Sequence, residues 1–216
     1  MAPVVGRPFI EWVVRFLGKQ GIGRIALATG YRGELIAEHF AQRSVPKVEV
    51  CCIQETEPYG TAGGFRNTAR LSGWEPHVWL VMNGDSLVYA PLASFAAELT
   101  DPAIGGMIVG VQVSDGSRYG VISVNEAGAL RAFEEKRPGA ALINAGVYFL
   151  KPEVISLFPA SRCLSFEQDV FPELTRGGTQ LKVKSCSAPF LDIGTPESLP
   201  QADEFIRAHL DQFLEP

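Results

Sequence analysis

The run Val78-Trp79-Leu80-Val81-Met82 leads straight into Asn83-Gly84-Asp85, and this junction constrains the fold more than any other stretch. Five apolar residues with no polar alternate read as a strand buried on both faces. Such a strand needs cover on both sides, and within one chain helices supply it. Asn-Gly is turn chemistry, so Asp85 falls at the carboxyl end of the strand, the edge where open α/β sheets bind ligands. A second aspartate closes an apolar stretch in Phe190-Leu191-Asp192-Ile193-Gly194-Thr195-Pro196. If folding brings the two carboxylates together, they suit a divalent metal held against phosphates. Each also has a plainer reading. Asn83-Gly84 serves as an ordinary turn, and Thr195-Pro196 as the cap and first position of a helix.

The first half alternates strand and helix. Helices are expected over Pro8–Leu17, Gly33–Gln42, Thr61–Leu71 and Pro91–Leu99, and strands over Arg24–Thr29, Val48–Ile53 and Val78–Met82. That order predicts a parallel, helix-covered sheet. Strands then come in quick succession at Gly106–Val113, Gly120–Val124, Leu130–Glu135 and Ile143–Leu150, with hairpin chemistry at Asn125-Glu126-Ala127-Gly128. Pro152–Leu157 and Glu167–Thr175 read as helical, Gln180–Ser185 as a strand, and Pro196–Phe213 as a C-terminal helix. One domain over residues 1–216 is expected, with a mixed sheet in its second half.

Composition narrows the function. The 216 residues carry a net charge of −5 and no basic stripe, which argues against nucleic acid as partner. The apolar stretches are strand-length, so no membrane span is expected. Four cysteines with no C-x-x-C pair and three scattered histidines argue against zinc and for a reduced, cytoplasmic setting.

Three further motifs have chemical potential. Glu55-Thr56-Glu57-Pro58-Tyr59-Gly60-Thr61-Ala62-Gly63-Gly64 is a turn running into a glycine-rich helix start. Small residues there admit a flat ligand, and helix N-termini favour anions. A close helix–sheet contact asks for the same residues and is the better reading in isolation. Glu134-Glu135-Lys136-Arg137 is either a solvated strand end or a carboxylate and an ammonium reaching sugar and phosphate. Asn144, inside an apolar strand, needs either backbone or ligand partners.

In order and spacing these landmarks resemble the sugar-1-phosphate nucleotidylyltransferases, or nucleotide-sugar pyrophosphorylases. The resemblance runs through Val5-Gly6-Arg7-Pro8, the Glu55–Gly63 turn, Asn83-Gly84-Asp85, Arg118-Tyr119-Gly120, Phe133-Glu134-Glu135-Lys136, Ile143–Tyr148 and Asp192–Pro196. Ser117–Gly120 and Leu164–Asp169 look most like the short members, among them the guanylyltransferases for D-glycero-α-D-manno-heptose 1-phosphate and mannose 1-phosphate. The resemblance implies a Rossmann-like nucleotide-diphospho-sugar transferase fold, a mixed, mainly parallel sheet covered by helices. It implies a nucleotide-binding half up to about residue 104 and a sugar-binding half after it. It implies transfer of a nucleotidyl group to a sugar 1-phosphate with release of pyrophosphate, for heptose or mannose activation in surface polysaccharide synthesis.

By motif position the resemblance makes Asp85, Lys136 and Asp192 catalytic, with Asp85 and Asp192 holding Mg²⁺ and Lys136 facing the sugar phosphate. Glu55, Pro58 and Gly60 would line the nucleobase pocket, and Thr61 would also bind substrate. Tyr119, Gly120, Glu135 and Asn144 would bind the sugar. A carboxylate at Glu55 can accept both N–H donors of guanine as a bidentate pair, which favours GTP. Uridylyl or thymidylyl transfer to a hexose or amino-sugar 1-phosphate is the alternative, as is a non-catalytic nucleotide-sugar-binding protein. The apolar second half has room for a homo-oligomer contact.

One departure stands out. The family opens with a central strand, a G-x-G-T-R loop and Lys-Pro, whereas Met1–Gly6 here corresponds to the stretch just after them. The expectation is that Met1 is an internal methionine of a longer chain. Without that first strand, its neighbours should be left with unpaired edges.

Overall fold

The computed structural model describes residues 1–134 and 136–214. Two short strands, β1 (Pro3–Val4) and β2 (Arg7–Pro8), pair antiparallel and lead into helix α1 (Phe9–Lys19). Phe9, Trp12, Val13, Phe16 and Leu17 fall at helical spacing on one face, and all are buried. Next come β3 (Arg24–Thr29), α2 (Gly33–Gln42), β4 (Glu49–Gln54), α3 (Gly60–Ser72), β5 (Trp79–Met82), β6 (Ser86–Val88) and α4 (Leu92–Ala97). The second half holds β7 (Ile104–Val113), β8 (Val121–Val124), β9 (Leu130–Glu134), β10 (Ala141–Leu150), α5 (Phe171–Arg176), β11 (Gln180–Cys186), β12 (Phe190–Asp192) and α6 (Gln201–Arg207).

The long strands β7 and β10 form the spine of a six-stranded sheet in the order β11-β7-β10-β8-β9, with β5 also paired to β10. Strand periodicity divides their side chains between two cores. Met107, Val109 and Val111 join Ile143, Ala145, Val147 and Phe149 on the face covered by α1 and α6. Ile108, Tyr148 and Leu150 turn to the other face, against Phe65, Phe166 and Phe171. The sheet is therefore buried on both sides, as the apolar runs require.

The expected α/β fold with a mixed sheet is present, but its parallel share is small. Among the described residues only β3–β4 and β7–β11 pair in parallel, while β5, β7 and β8 all run antiparallel to β10. The reason lies at β3 and β5, which do not pair with each other. Among the described residues β3 bonds only to β4 and β5 only to β10, so each keeps one open edge. A cavity of ≈ 710 Å³ separates those edges, lined by every residue of Arg24–Thr29 and every residue of Trp79–Met82. A strand face would present alternate residues, so consecutive lining residues mark the strand edges themselves. Ile10, Val13, Val14 and Leu17 of α1 close one side of this slot, and Phe65, Thr68 and Ala69 of α3 also line it. The expected unpaired edges are thus found at β3 and β5, and β5 is half-buried rather than fully buried.

Two expected helices also differ. Phe166–Val170 is a wide turn in which Val170 N–H bonds Ser165 O at 3.1 Å, before α5 begins. Pro172 has no N–H to close an α-turn on Gln168. The C-terminal helix does not run through Pro196–Phe213; residues 196–200 are turns and α6 starts at Gln201. Pro200 interrupts the ladder in the same way and disfavours helical geometry at Leu199.

Candidate active site

The two aspartates meet. Strand β6 pairs antiparallel with β12 so that Ser86 faces Asp192, and Ile193 N–H bonds the Asp85 carbonyl at 2.9 Å. Their carboxylates flank Gly194, where a Cβ would lie 3.0 Å from Asp192 Oδ1 and 3.4 Å from Asp85 Oδ2. Gly194 N–H donates to Asp192 Oδ1 at 2.7 Å, and Ser86 Oγ to Asp85 Oδ1 at 3.0 Å. Asp85 is exposed and Asp192 half-buried. No group of three or more His, Cys, Asp or Glu that could hold a metal is present among the described residues. Two carboxylates open to solvent fit Mg²⁺, which commonly takes one or two protein carboxylates and completes its shell with water and phosphate. Thr195 does not cap a helix; its hydroxyl lies 3.2 Å from Ser198 Oγ and accepts Arg118 Nη2 at 3.4 Å.

The turn that bears Asp85 is seated on a bulge in β10. Asn83 N–H bonds the Gly146 carbonyl at 2.9 Å, and the Asn83 side chain occupies the space of a Cβ on Gly146. Gly146 has φ +66°, a conformation that suits glycine. The strand register shifts here, between Asn144 and Tyr148.

Glu55, Pro58, Gly60 and Thr61 line one end of the slot together with Asn83 and Gly84. The pocket expected for a base therefore opens toward the aspartate turn. Glu55 follows β4, its N–H bonded to Thr29 O at 2.7 Å, and its carboxylate lies against Gly64, where a side chain would collide with it. The glycines of α3 serve close packing. The Leu164 carbonyl accepts Ala62 N–H at 2.9 Å and Gly63 N–H at 3.3 Å, so the chain itself occupies these amides of the helix start. The Arg162 carbonyl takes the place of a Cβ on Gly63. The Ala62 and Gly63 amides are accordingly taken by the Leu164 carbonyl rather than open to an anion.

On the other side, Tyr119 and Gly120 lie in the loop between β7 and β8. Tyr119 packs edge-on against Phe190 at 5.5 Å, and the Gly120 carbonyl accepts Asn144 N–H at 3.0 Å. Lys136 is exposed on the loop after β9, and Glu135 lies outside the described residues. That loop is pinned to the Arg118 loop by Asp115. Its Oδ1 accepts Ser117 Oγ at 2.7 Å, Ser117 N–H at 3.1 Å and Gly139 N–H at 3.2 Å. Led by the Ser117 hydroxyl, these bonds hold the Asp115 carboxyl below its ordinary range.

Asn144 finds backbone and side-chain partners inside the protein. Its Oδ1 accepts Gly146 N–H at 3.0 Å, and its Nδ2 donates to Tyr148 Oη at 2.8 Å and Glu167 Oε1 at 3.0 Å. Neither Glu167 nor Asp115 is singled out by the sequence reading. Ser165-Phe166-Glu167-Gln168 has the spacing of a capping box, and the Ser165 hydroxyl does accept Glu167 N–H and Gln168 N–H, each at 3.2 Å. That signal locates a helix start but not a carboxylate aimed at β10.

A two-faced sheet whose strand ends gather paired carboxylates beside a small-residue cleft is the architecture of a nucleotide-handling α/β protein. Residues 1–209 match the family model described as nucleotidyl transferase, and the chain belongs to that family of enzymes. It is 32% identical over 200 residues to the D-glycero-alpha-D-manno-heptose 1-phosphate guanylyltransferase of Campylobacter jejuni, covering 91% of this chain and 85% of that one. It is 29% identical to the mannose-1-phosphate guanylyltransferase of Mycobacterium tuberculosis, covering 98% of this chain and 57% of that one. Among solved structures, HddC from Yersinia pseudotuberculosis complexed with GMP-PN superposes with a TM-score of 0.84 at 30% identity, over 94% of this chain and 88% of that one. No helix among the described residues is long and apolar enough to cross a membrane.

Proposed function

We propose that the protein transfers GMP from GTP to a sugar 1-phosphate of the heptose or mannose type. A phosphate oxygen of the sugar attacks the α-phosphorus in line, the bond from that phosphorus to the β-phosphate bridge breaks, and pyrophosphate leaves. The observation that carries this reading is the convergence of Asp85 and Asp192 on Gly194, next in the chain to Asn83 and Gly84, which line the same cleft as Glu55, Pro58, Gly60 and Thr61. Asp85 and Asp192 would hold Mg²⁺, which supplies charge neutralisation at the transferring phosphate. Glu55 accepts the two adjacent N–H donors of guanine, its carboxylate seated against the bare α-carbon of Gly64. Lys136 faces the sugar phosphate. Tyr119, Gly120 and Glu135 meet the sugar, and Asn144 meets it through the lone pair of Oδ1 that Gly146 leaves free. Positioning and electrostatics are then the main contributions to rate.

Pyrophosphate release measured with GTP, UTP and dTTP against mannose 1-phosphate and a heptose 1-phosphate tests the reading. GTP should exceed UTP by at least about tenfold in kcat/KM, the worth of one charge-assisted pairing. Equal turnover with UTP would refute the role of Glu55. GDP-sugar binding with no turnover on any pair would favour a non-catalytic binding protein.

A further inference from the structure

We infer that Glu167 is a positioning residue for the sugar 1-phosphate, acting through Asn144; the inference rests on the transfer reaction proposed above. Glu167 is half-buried on the wide turn Phe166–Val170, a kind of helical irregularity often found at functional sites. Its Oε1 accepts from two groups of β10, Asn144 Nδ2 at 3.0 Å and Tyr148 Oη at 2.6 Å. Its Oε2 accepts Ser165 Oγ at 2.8 Å. The donor pattern is self-consistent. The Tyr148 hydroxyl gives its proton to Glu167 and accepts one from Asn144 at 2.8 Å, so both amide hydrogens of Asn144 are committed. Burial, then the nearby carboxylate, push the Tyr148 phenol well above its ordinary pKa, which keeps that proton in place. With Nδ2 held and Oδ1 receiving Gly146 N–H, the Asn144 amide cannot flip, and the one group it offers outward is an acceptor lone pair. Asn144 is thereby specified as an acceptor of a sugar hydroxyl.

The segment that carries Glu167 also anchors the opposite cleft. Leu164 N–H donates to the Tyr59 carbonyl at 2.8 Å, and Phe166 N–H to Thr61 Oγ1 at 3.1 Å. Glu167 thus sits on a strap bonded at one end to the wall beside Glu55 and at the other to Asn144.

The test compares wild type with Glu167→Ala, Glu167→Gln, Asn144→Ala and the double Glu167→Ala/Asn144→Ala, using GTP and mannose 1-phosphate. Glu167→Ala should raise KM for the sugar phosphate about tenfold and leave KM for GTP within about twofold. Glu167→Gln keeps an oxygen for both β10 donors and should return to within about threefold of wild type. If Glu167 acts through Asn144, the double variant should be no worse than Asn144→Ala alone. An unchanged sugar KM in Glu167→Ala, multiplicative losses in the double variant, or a lowered Tm with both KM values raised alike would overturn the inference. Calorimetric titration with mannose 1-phosphate separates this from the reaction itself. Binding by wild type without turnover sinks the transfer reading, and the affinity ratio of wild type to Glu167→Ala then decides the role of Glu167. No binding by wild type overturns both.

Discussion

The Asp85 carbonyl accepts the Ile193 N–H at 2.9 Å, so the two carboxylate-bearing turns are locked by their backbones and not merely adjacent. Gly194 keeps the space between the carboxylates open. In Gly194→Ala the added methyl would stand 3.0 Å from Asp192 Oδ1, closer than ordinary contact, and push the carboxylates apart. The expected outcome is a Mg²⁺ requirement raised about tenfold with Tm nearly unchanged, because Gly194 is exposed. Initial rates over a Mg²⁺ series, with Tm alongside, check this.

A buried charge cluster sets an acid limit on stability. Glu11 is 1% exposed, and its carboxylate accepts Arg7 Nη1 at 2.6 Å and Arg15 Nε at 2.8 Å, with His39 Nε2 also at 2.8 Å. Burial pushes the Glu11 carboxyl up, but the hydrogen bonds from Arg15, His39 and Arg7 outweigh it and lower it from 4.5. A carboxyl lowered by folding stabilises the protein above its unfolded pKa, and that stability is lost as pH falls through the folded value. Wild type should therefore lose Tm steadily below about pH 4.5, the ordinary carboxyl value. Glu11→Gln should be about 3 kcal/mol less stable at pH 7 and show a shallower acid slope. Thermal melts from pH 3 to about pH 7 measure both.

Thr68 reports on the slot between β3 and β5. Its hydroxyl is buried without a hydrogen-bond partner among the described residues, and the residue lines the slot. An unsatisfied buried hydroxyl is destabilising, so Thr68→Val should stabilise this chain by about 1 kcal/mol in denaturant melts. A loss of stability would mean that the hydroxyl has a partner in solution. Hydrogen exchange gives a second view: amides of β3 and β5 should exchange on the order of a hundredfold faster than those of β7 and β10, whose ladders are bonded on both sides.

Asp115 pins the loop of Tyr119 and Gly120 to the loop of Lys136. Asp115→Ala removes three accepted hydrogen bonds at an exposed site. The expected result is a several-fold higher KM for the sugar 1-phosphate and an unchanged KM for GTP, because Glu55 and Thr61 stand on other elements. Steady-state kinetics against each substrate distinguish these.

Much of the fold was legible along the chain. The helical spacing of Phe9, Trp12, Val13, Phe16 and Leu17 identifies α1, and the unbroken apolar run to Met82 identifies β5 and the turn that exposes Asp85. These depend on local periodicity and turn chemistry, which a sequence carries in full. The wide turn at Phe166–Val170 and the break before α6 were less legible, because the missing N–H of Pro172 and of Pro200 had to be weighed against otherwise helical composition.

By itself, then, the sequence determined most element types, the family resemblance and both aspartates at strand ends. Only the tertiary structure decided that β6 and β12 pair so that Asp85 and Asp192 share Gly194, that Leu164 occupies the helix-start amides of α3, and that Glu167 spends its Oε1 on Asn144 and Tyr148. Each of those facts joins residues distant in the chain, through strand register at β6 and β12, through a loop carbonyl at α3 and through side-chain hydrogen bonds at β10. Periodicity says which face a side chain takes, but register and bulges decide which side chain it meets there.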